Sequence, residues 1–266
     1  MVHDVHRLER GMMVSLLCIH EIYLPVADLT RSIEWFTRVF GAEIEWRFEE
    51  KAKINFSNHT SIVVVQSNEL NRYTHIPFNL ESHNMPRTVE MLLEKGVRLS
   101  KSSISDGFHC VDFFDSDGNR IGLVGAEKPA HIDLEENIAV CATFLAVRNI
   151  DRAIEWYSDT FGLTFKRWSF TGGAGYISNT DEHNLTIKYA AADYLQRDGM
   201  VFAETPNVNR LAHTPYVLQS SNAFQMYKEL FGKGVSLSPL NEENGLKSFE
   251  FIDIEGNNIG IVEVVG

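Results

Sequence analysis

The sequence predicts an α+β protein assembled from four βαβββ modules, two in each half of the chain. Three observations carry that prediction. LPVADLTRSIEWFTRVFG (Leu24 to Gly41) returns as LAVRNIDRAIEWYSDTFG (Leu145 to Gly162), displaced by 121 residues. Each half then repeats within itself, as strand, helix and a set of strands. A turn phrase also recurs between apolar runs, DSDGNRIGLVG at Asp115 to Gly125 and DIEGNNIGIVEV at Asp253 to Val264. Self-similarity over most of a chain points to homologous units, and 266 residues exceed one typical domain.

The elements follow in order. CIHEIYLPV alternates and is rich in β-branched residues, so it reads as the first strand. In DLTRSIEWFTRVFG, Leu29, Ile33, Phe36 and Phe40 recur at helical spacing, with Asp28 as N-cap and Gly41 as the stop. Trp35 and Trp156 lie on such helices and are core or packing residues. AEIEWRF, AKINFSN and SIVVVQ are strands. HIPFNL opens the second module as a strand, and NMPRTVEMLLEKGV is a helix with Pro86 in its first turn and Gly96 at its end. CVDFFDSDGNRIGLV is a hairpin turning at DG. THIPFNL (Thr74 to Leu80) matches AHTPYVL (Ala212 to Leu218) at an offset of 138, so the second half holds 17 extra residues between Asn179 and His213.

These matches divide the chain into a tail (1–18), a first domain (19–126, modules 19–68 and 73–126), a linker (127–137) and a second domain (138–266, modules 138–190 and 211–266). The tail reads as a frayed or over-extended start, near Met1 or Met12.

Composition narrows the function classes. Apolar residues make up 44% and charged residues 23%, as in a globular protein with a sizeable core. No apolar run reaches the roughly 20 residues of a membrane span, and the most apolar early stretch, MVSLLCIHEIYLPV, is interrupted by Glu21 and lacks the basic region and cleavage site expected of a leader. The expectation is a cytoplasmic protein without membrane contact. With 24 basic against 36 acidic residues and a net charge of −12, nucleic acid is not an expected partner. Cys18, Cys110 and Cys141 are widely spaced and read as buried thiols. There is no GxGxxG after a strand, no P-loop, no GxSxG and no HExxH.

The modules resemble those of the vicinal oxygen chelate superfamily, which includes glyoxalase I, extradiol ring-cleavage dioxygenases, fosfomycin- and bleomycin-resistance proteins and methylmalonyl-CoA epimerase. The resemblance runs through Val26 to Gly41, HIPF at His75 to Phe78, KGV at Lys95 to Val97 and DSDGN at Asp115 to Asn119. It returns at Val147 to Gly162, HTPY at His213 to Tyr216, KGV at Lys233 to Val235 and IEGN at Ile254 to Asn257. It implies two glyoxalase-like domains, each a curved mixed sheet wrapping a cup. It also implies a divalent metal held by a first-strand histidine, a histidine opening the second module and a glutamate on the last strand. Such a facial set leaves positions open for two substrate oxygens.

Placed on this sequence, the three positions fall on Glu21 (with His20 beside it), His75 and Gly122, and in the second half on Ala142, His213 and Gly260. Glycine offers no ligand, so each glycine stands where a metal-binding relative would carry its carboxylate. Glu21 and His75 remain as metal candidates for Mn, Fe, Ni or Zn in the first domain, with Gln66, His109 or Asp112 as helpers. Without metal they are polar residues of the cup. Alternation should turn only one of His20 and Glu21 into the cup. Asp112 and Glu250 are equivalent, in CVDFF and SFEFI. The simpler reading turns them outward; facing the cup, either would be a candidate base.

The leading expectation is therefore a bleomycin-resistance-like protein that binds a small organic molecule, of cationic character given the acidic balance, without the usual metal triad. His75, Glu21, Asp112, His109, His213 and Glu250 are its candidate ligand-binding residues. The alternative is a metal-dependent lyase, isomerase or extradiol-type dioxygenase built around Glu21 and His75. Whether the cups pair within one chain or across a homodimer stays open.

Overall fold

The computed structural model describes residues 16–56, 60–68, 76–105, 107–127, 138–163, 165–170, 173–178, 188–189, 200–204, 215–243 and 245–263. The first module is β1 (Leu16–Val26), α1 (Leu29–Phe40), β2 (Glu43–Arg47), β3 (Lys51–Asn55) and β4 (Ser61–Gln66). The second is β5 (Phe78–Ser82), α2 (Met85–Glu94), β6 (Ser103–Ser105), β7 (Phe108–Phe114) and β8 (Arg120–Ala126). The third is β9 (Ile138–Val147), α3 (Ile150–Phe161), β10 (Phe165–Phe170), β11 (Gly173–Ser178), β12 (Lys188–Tyr189) and β13 (Met200–Glu204). The fourth is β14 (Tyr216–Ser220), α4 (Ala223–Gly232), β15 (Ser236–Leu237), β16 (Asn241–Glu243), β17 (Leu246–Ile252) and β18 (Asn258–Glu263). The strand–helix–strands order of the α+β prediction is present four times. Most of the 17 extra residues of the second half fall outside the described residues.

Helix boundaries follow local chemistry. Asp28 accepts a hydrogen bond from the Arg31 amide at 2.9 Å and so caps α1. Gly41 ends the helix at φ +68°, a conformation glycine adopts without steric penalty. Asn84, Asn149 and Asn222 cap the other three helices in the same way. Trp35 is buried against Phe36, Phe40 and Phe113, as its helical position predicts.

The sheets do not follow the halves of the chain. One runs β15-β17-β18-β14-β1-β4-β3-β2, with β12 and β16 attached to β1 and β17; the other runs β10-β11-β13-β9-β5-β8-β7-β6. The first module thus shares a sheet with the fourth, and the second with the third. Each module alone ends at an unpaired strand edge. β1 meets β14 antiparallel and β5 meets β9 antiparallel, so the exposed backbone groups of one half pair with the other half. Helices cover one face of each sheet, with α1 on β3 and β4 and α4 on β17. The apolar core lies between these layers, including Leu24, Phe36, Ile54, Val64, Tyr216 and Phe251.

The repeated turn phrase joins the two sheets. Asp115 accepts from the amides of Asp117 (2.9 Å) and Asn119 (2.7 Å), and from Asn119 Nδ2 (2.7 Å). Asn119 Nδ2 also donates to Pro25 O of β1 at 3.0 Å, and Asp117 pairs with Arg31 of α1. The second copy repeats this: Asn257 Nδ2 donates to Ala146 O of β9 at 3.1 Å, and Tyr157 of α3 donates to Asp253 at 3.0 Å. Each hairpin therefore clasps the first strand of its own half, which sits in the opposite sheet. Burial raises the carboxyl of Asp115 to about 6, even though three hydrogen bonds favour the charged form.

Candidate functional site

The open face of each sheet presents one equivalent row of four residues. In the first sheet the row runs Glu250, Gly260, Val217, Glu21 across β17, β18, β14 and β1. In the second it runs Asp112, Gly122, Asn79, Ala142 across β7, β8, β5 and β9. Directly opposed residues share a face. Phe249 and Phe251 are buried on the helix side, and Val111 and Phe113 likewise, so Glu250 and Asp112 take the other face. The expectation that these two carboxylates turn away from the cup is corrected for Glu250, which lines a cleft. The convex face of a helix-covered sheet is core, so the face left to a strand carboxylate is the concave one.

That cleft has a volume of about 430 Å³, and both Glu21 and Glu250 line it. Three strand steps separate them, about 14 Å in a flat sheet. Sharing one cleft requires the sheet to curl, as the cup expectation holds. Tyr23 stands beside them and donates to Glu21 Oε2 at 2.6 Å. Burial, and then the Glu21 carboxylate, push the Tyr23 hydroxyl well above its usual range, so it stays protonated. Glu250 is fixed from several sides: Asn258 Nδ2 donates to its Oε2 at 2.8 Å, Ser238 Oγ accepts from its amide at 2.8 Å, and Ser238 N donates to its carbonyl at 2.9 Å.

His20 lines the same cleft, against the expectation that alternation admits only one of His20 and Glu21. The reason is a β-bulge. Ile19 pairs with Leu218 and Glu21 with Val217, so His20 is an extra residue and the phase of the strand shifts. Ile19 and Ile22 are both buried in the core on either side of it. β9 carries the same bulge at Cys141, between Val140 paired with Leu80 and Ala142 paired with Asn79. Burial lowers the pKa of His20, and its neighbour Glu21 only partly offsets this, so the imidazole is neutral at pH 7.

The second sheet's row differs in three ways. Asp112 is ion-paired with Arg120, whereas Asn258 occupies the position equivalent to Arg120 beside Glu250. The Asn79 side chain lies over Gly122, so a Cβ there would overlap Asn79 Oδ1. Ala142 replaces Glu21. The two cups are thus chemically unequal.

The remaining candidates divide between sheets. His75 and His213 lie outside the described residues; the strand that follows His75, β5, belongs to the sheet that does not contain Glu21, and the strand that follows His213, β14, pairs with β1. His109 sits on the face of Val111 and Phe113, opposite Asp112, so these two do not line one cup together. Gln66 accepts from the Leu29 amide at 3.3 Å, at the first turn of α1. Among the described residues no three His, Cys, Asp or Glu side chains stand close enough to hold a metal ion. The described donors therefore do not make the facial set that the family resemblance implies. Tyr23, Ser238 and Asn258 were not singled out in the sequence, although Ser238 has a repeat partner in Ser100, which accepts from the Asp112 amide at 2.9 Å.

Comparison with known proteins places this architecture. Residues 18–133 match the model of the Glyoxalase/Bleomycin resistance protein/Dioxygenase superfamily. Glyoxalase I from Zea mays superposes with a TM-score of 0.67 at 15% identity, covering 92% of each chain. A candidate dioxygenase from Bacillus subtilis superposes with a TM-score of 0.67 at 13% identity, covering 94% of this chain and 86% of its own. At such identities the likeness is one of fold. A search of curated protein sequences found no match. No helix among the described residues is long and apolar enough to cross a membrane. Residues 18–133 are thus similar to the Glyoxalase/Bleomycin resistance protein/Dioxygenase superfamily, and over 92% of its length the chain shares the fold of glyoxalase I from Zea mays.

Proposed function

We propose that this protein binds a small organic cation in the cup of its first sheet, between Glu21 and Glu250, without a three-ligand metal centre. The single observation that carries this is the lining of the cleft: two carboxylates and a neutral histidine, with no lysine or arginine among its described lining residues. Tyr23 is an aromatic residue of the lining, and a cation that meets the face of such a ring gains about 0.5–2 kcal/mol depending on its desolvation. The cleft volume falls within the usual range for small-molecule sites. The Tyr23 hydroxyl, held on Glu21, fixes that carboxylate so that little side-chain freedom is lost on binding.

The test is a titration with benzyltrimethylammonium and with neopentylbenzene, its uncharged isostere, followed by two-dimensional NMR. The cation should move resonances of β1 and β17 and bind more tightly than the isostere. Glu21→Gln and Glu250→Gln should each weaken it about tenfold. Equal affinity for the two probes, or unchanged binding in both variants, overturns the reading. So does near-stoichiometric Mn, Fe, Ni or Zn in protein purified without a histidine tag, lost in Glu21→Gln. That outcome would favour a metal-dependent lyase, isomerase or dioxygenase.

A further inference from the structure

A second cavity of about 440 Å³ lies on the far side of Glu250, lined by Ser236, Leu237, Ile252, Gly256 and Asn258. It shares Glu250 and Ser238 with the first cleft. The geometry of β17 explains the sharing. Leu246, Ser248, Glu250 and Ile252 alternate onto the open face, while Phe249 and Phe251 are buried. Leu246 and Ser248 line the first cleft, Ile252 lines the second, and Glu250 is the post between them.

The chemistry of the two cavities differs. The first holds Glu21, Glu250 and His20. The second has no titratable side chain except the shared Glu250, and its apolar contribution comes from Leu237 and Ile252. Ile252 is 41% exposed on the open face of β17, where Leu246 is the exposed apolar residue of the other end, while Phe249 and Phe251 are buried. Glu250 cannot swing aside easily to merge the cavities, because Asn258 holds its carboxylate and Ser238 takes both of its backbone groups.

We propose that the cleft has two subsites in line, and that its ligand is an elongated amphiphilic cation. The charged head sits between Glu21 and Glu250, and an apolar body runs past Glu250 onto Ile252 and Leu237. This rests on the cation reading given above and adds the class of ligand and the residues that select its length. Glu250 and Ile252 are two residues apart on one strand face, about 7 Å, the reach of roughly five or six methylenes.

The experiment uses the full chain and a series of n-alkyltrimethylammonium ions from methyl to octyl, all below their micelle concentrations, by calorimetry. Affinity should rise about fourfold for each methylene buried, and level off near hexyl. In Ile252→Ser the octyl-to-methyl affinity ratio should collapse at least tenfold. In Leu246→Ser, at the other end of the row, it should persist. Ile252 is exposed, so its replacement leaves the core intact, and an unchanged melting temperature checks this. Head binding with no dependence on chain length overturns the second subsite and leaves the cation reading standing. A ratio that survives Ile252→Ser, or collapses instead in Leu246→Ser, also overturns it. Failure of every member to bind, tetramethylammonium included, overturns both readings together.

Discussion

Replacing Gly122 by alanine tests whether the second cup is filled by its own side chain. A Cβ at 122 would overlap Asn79 Oδ1 and lie 2.9 Å from Asn79 Cγ, while the next neighbour, Ile76 Cγ2, is at 3.4 Å. The strain therefore comes from one half-buried side chain. Forcing an extra carbon into a packed site costs about 1–3 kcal/mol. At about 2 kcal/mol, and roughly 2–4 °C per kcal/mol for a chain of this size class, Gly122→Ala should melt about 4–8 °C lower. Truncating Asn79 removes the obstacle, so the Asn79→Ala/Gly122→Ala double variant should recover most of the loss, with a coupling of about 1–2 kcal/mol. Gly125→Ala is the internal control. A Cβ there meets the backbone carbonyl of Ser82, which no side-chain deletion relieves, so Asn79→Ala should not rescue it. Melting followed by near-UV circular dichroism and urea unfolding would measure all six proteins, the wild type and Asn79→Ala alone included. The reasoning fails if Gly122→Ala is as stable as the wild type, or if Asn79→Ala restores Gly125→Ala equally well.

Three further outcomes follow from the geometry. Burial holds the Asp115 carboxyl near 6 against 3.8 unfolded, so its stabilising proton is fully present below about pH 3.8 and lost as pH rises through about 6. The loss is on the order of 3 kcal/mol, and Asp253 shifts in the same direction. Asp115→Asn should therefore flatten the dependence of melting temperature on pH between 4 and 7; parallel curves would contradict the assignment. Arg148 Nε donates to the buried carboxylate of Glu255 at 2.8 Å, so Arg148→Ala should cost about 1–3 kcal/mol in urea unfolding, and Arg148→Ala/Glu255→Gln should cost less than the single variant. The unequal cups predict one cation per chain by calorimetry. Asp112→Asn should leave that stoichiometry and affinity in place, because Asp112 is already neutralised by Arg120; two equivalent sites would refute the asymmetry.

Much of this protein was legible in its residues because the deciding interactions are local. Asp28 and Gly41 bound α1 through a side chain three residues from the amide it caps and a left-handed φ. The DG and EG phrases form tight turns because Asp115 and Asp253 accept amides two and four residues ahead, with Gly118 and Gly256 at positive φ. The 121- and 138-residue offsets exposed four modules and the equivalence of Asp112 with Glu250, since a duplicated unit keeps its pattern.

The partnership of those modules was decided by tertiary structure. β1 carries the same alternating pattern whether its free edge meets β5 or β14, because edge pairing is made by backbone groups common to every residue. Only the assembled sheet set Glu21 opposite Val217 and in line with Glu250, and separated it from the strand that follows His75. The bulge that turns His20 into the cleft is likewise invisible in the pattern HEIY, since it comes from a one-residue excess against β14. Nor could composition say that Asp112 meets Arg120 while its equivalent meets Asn258. The sequence by itself set the elements, their caps and their fourfold repetition, through contacts spanning a few residues. The site depends on which distant edges meet, and that choice rests on the curvature and register of whole sheets.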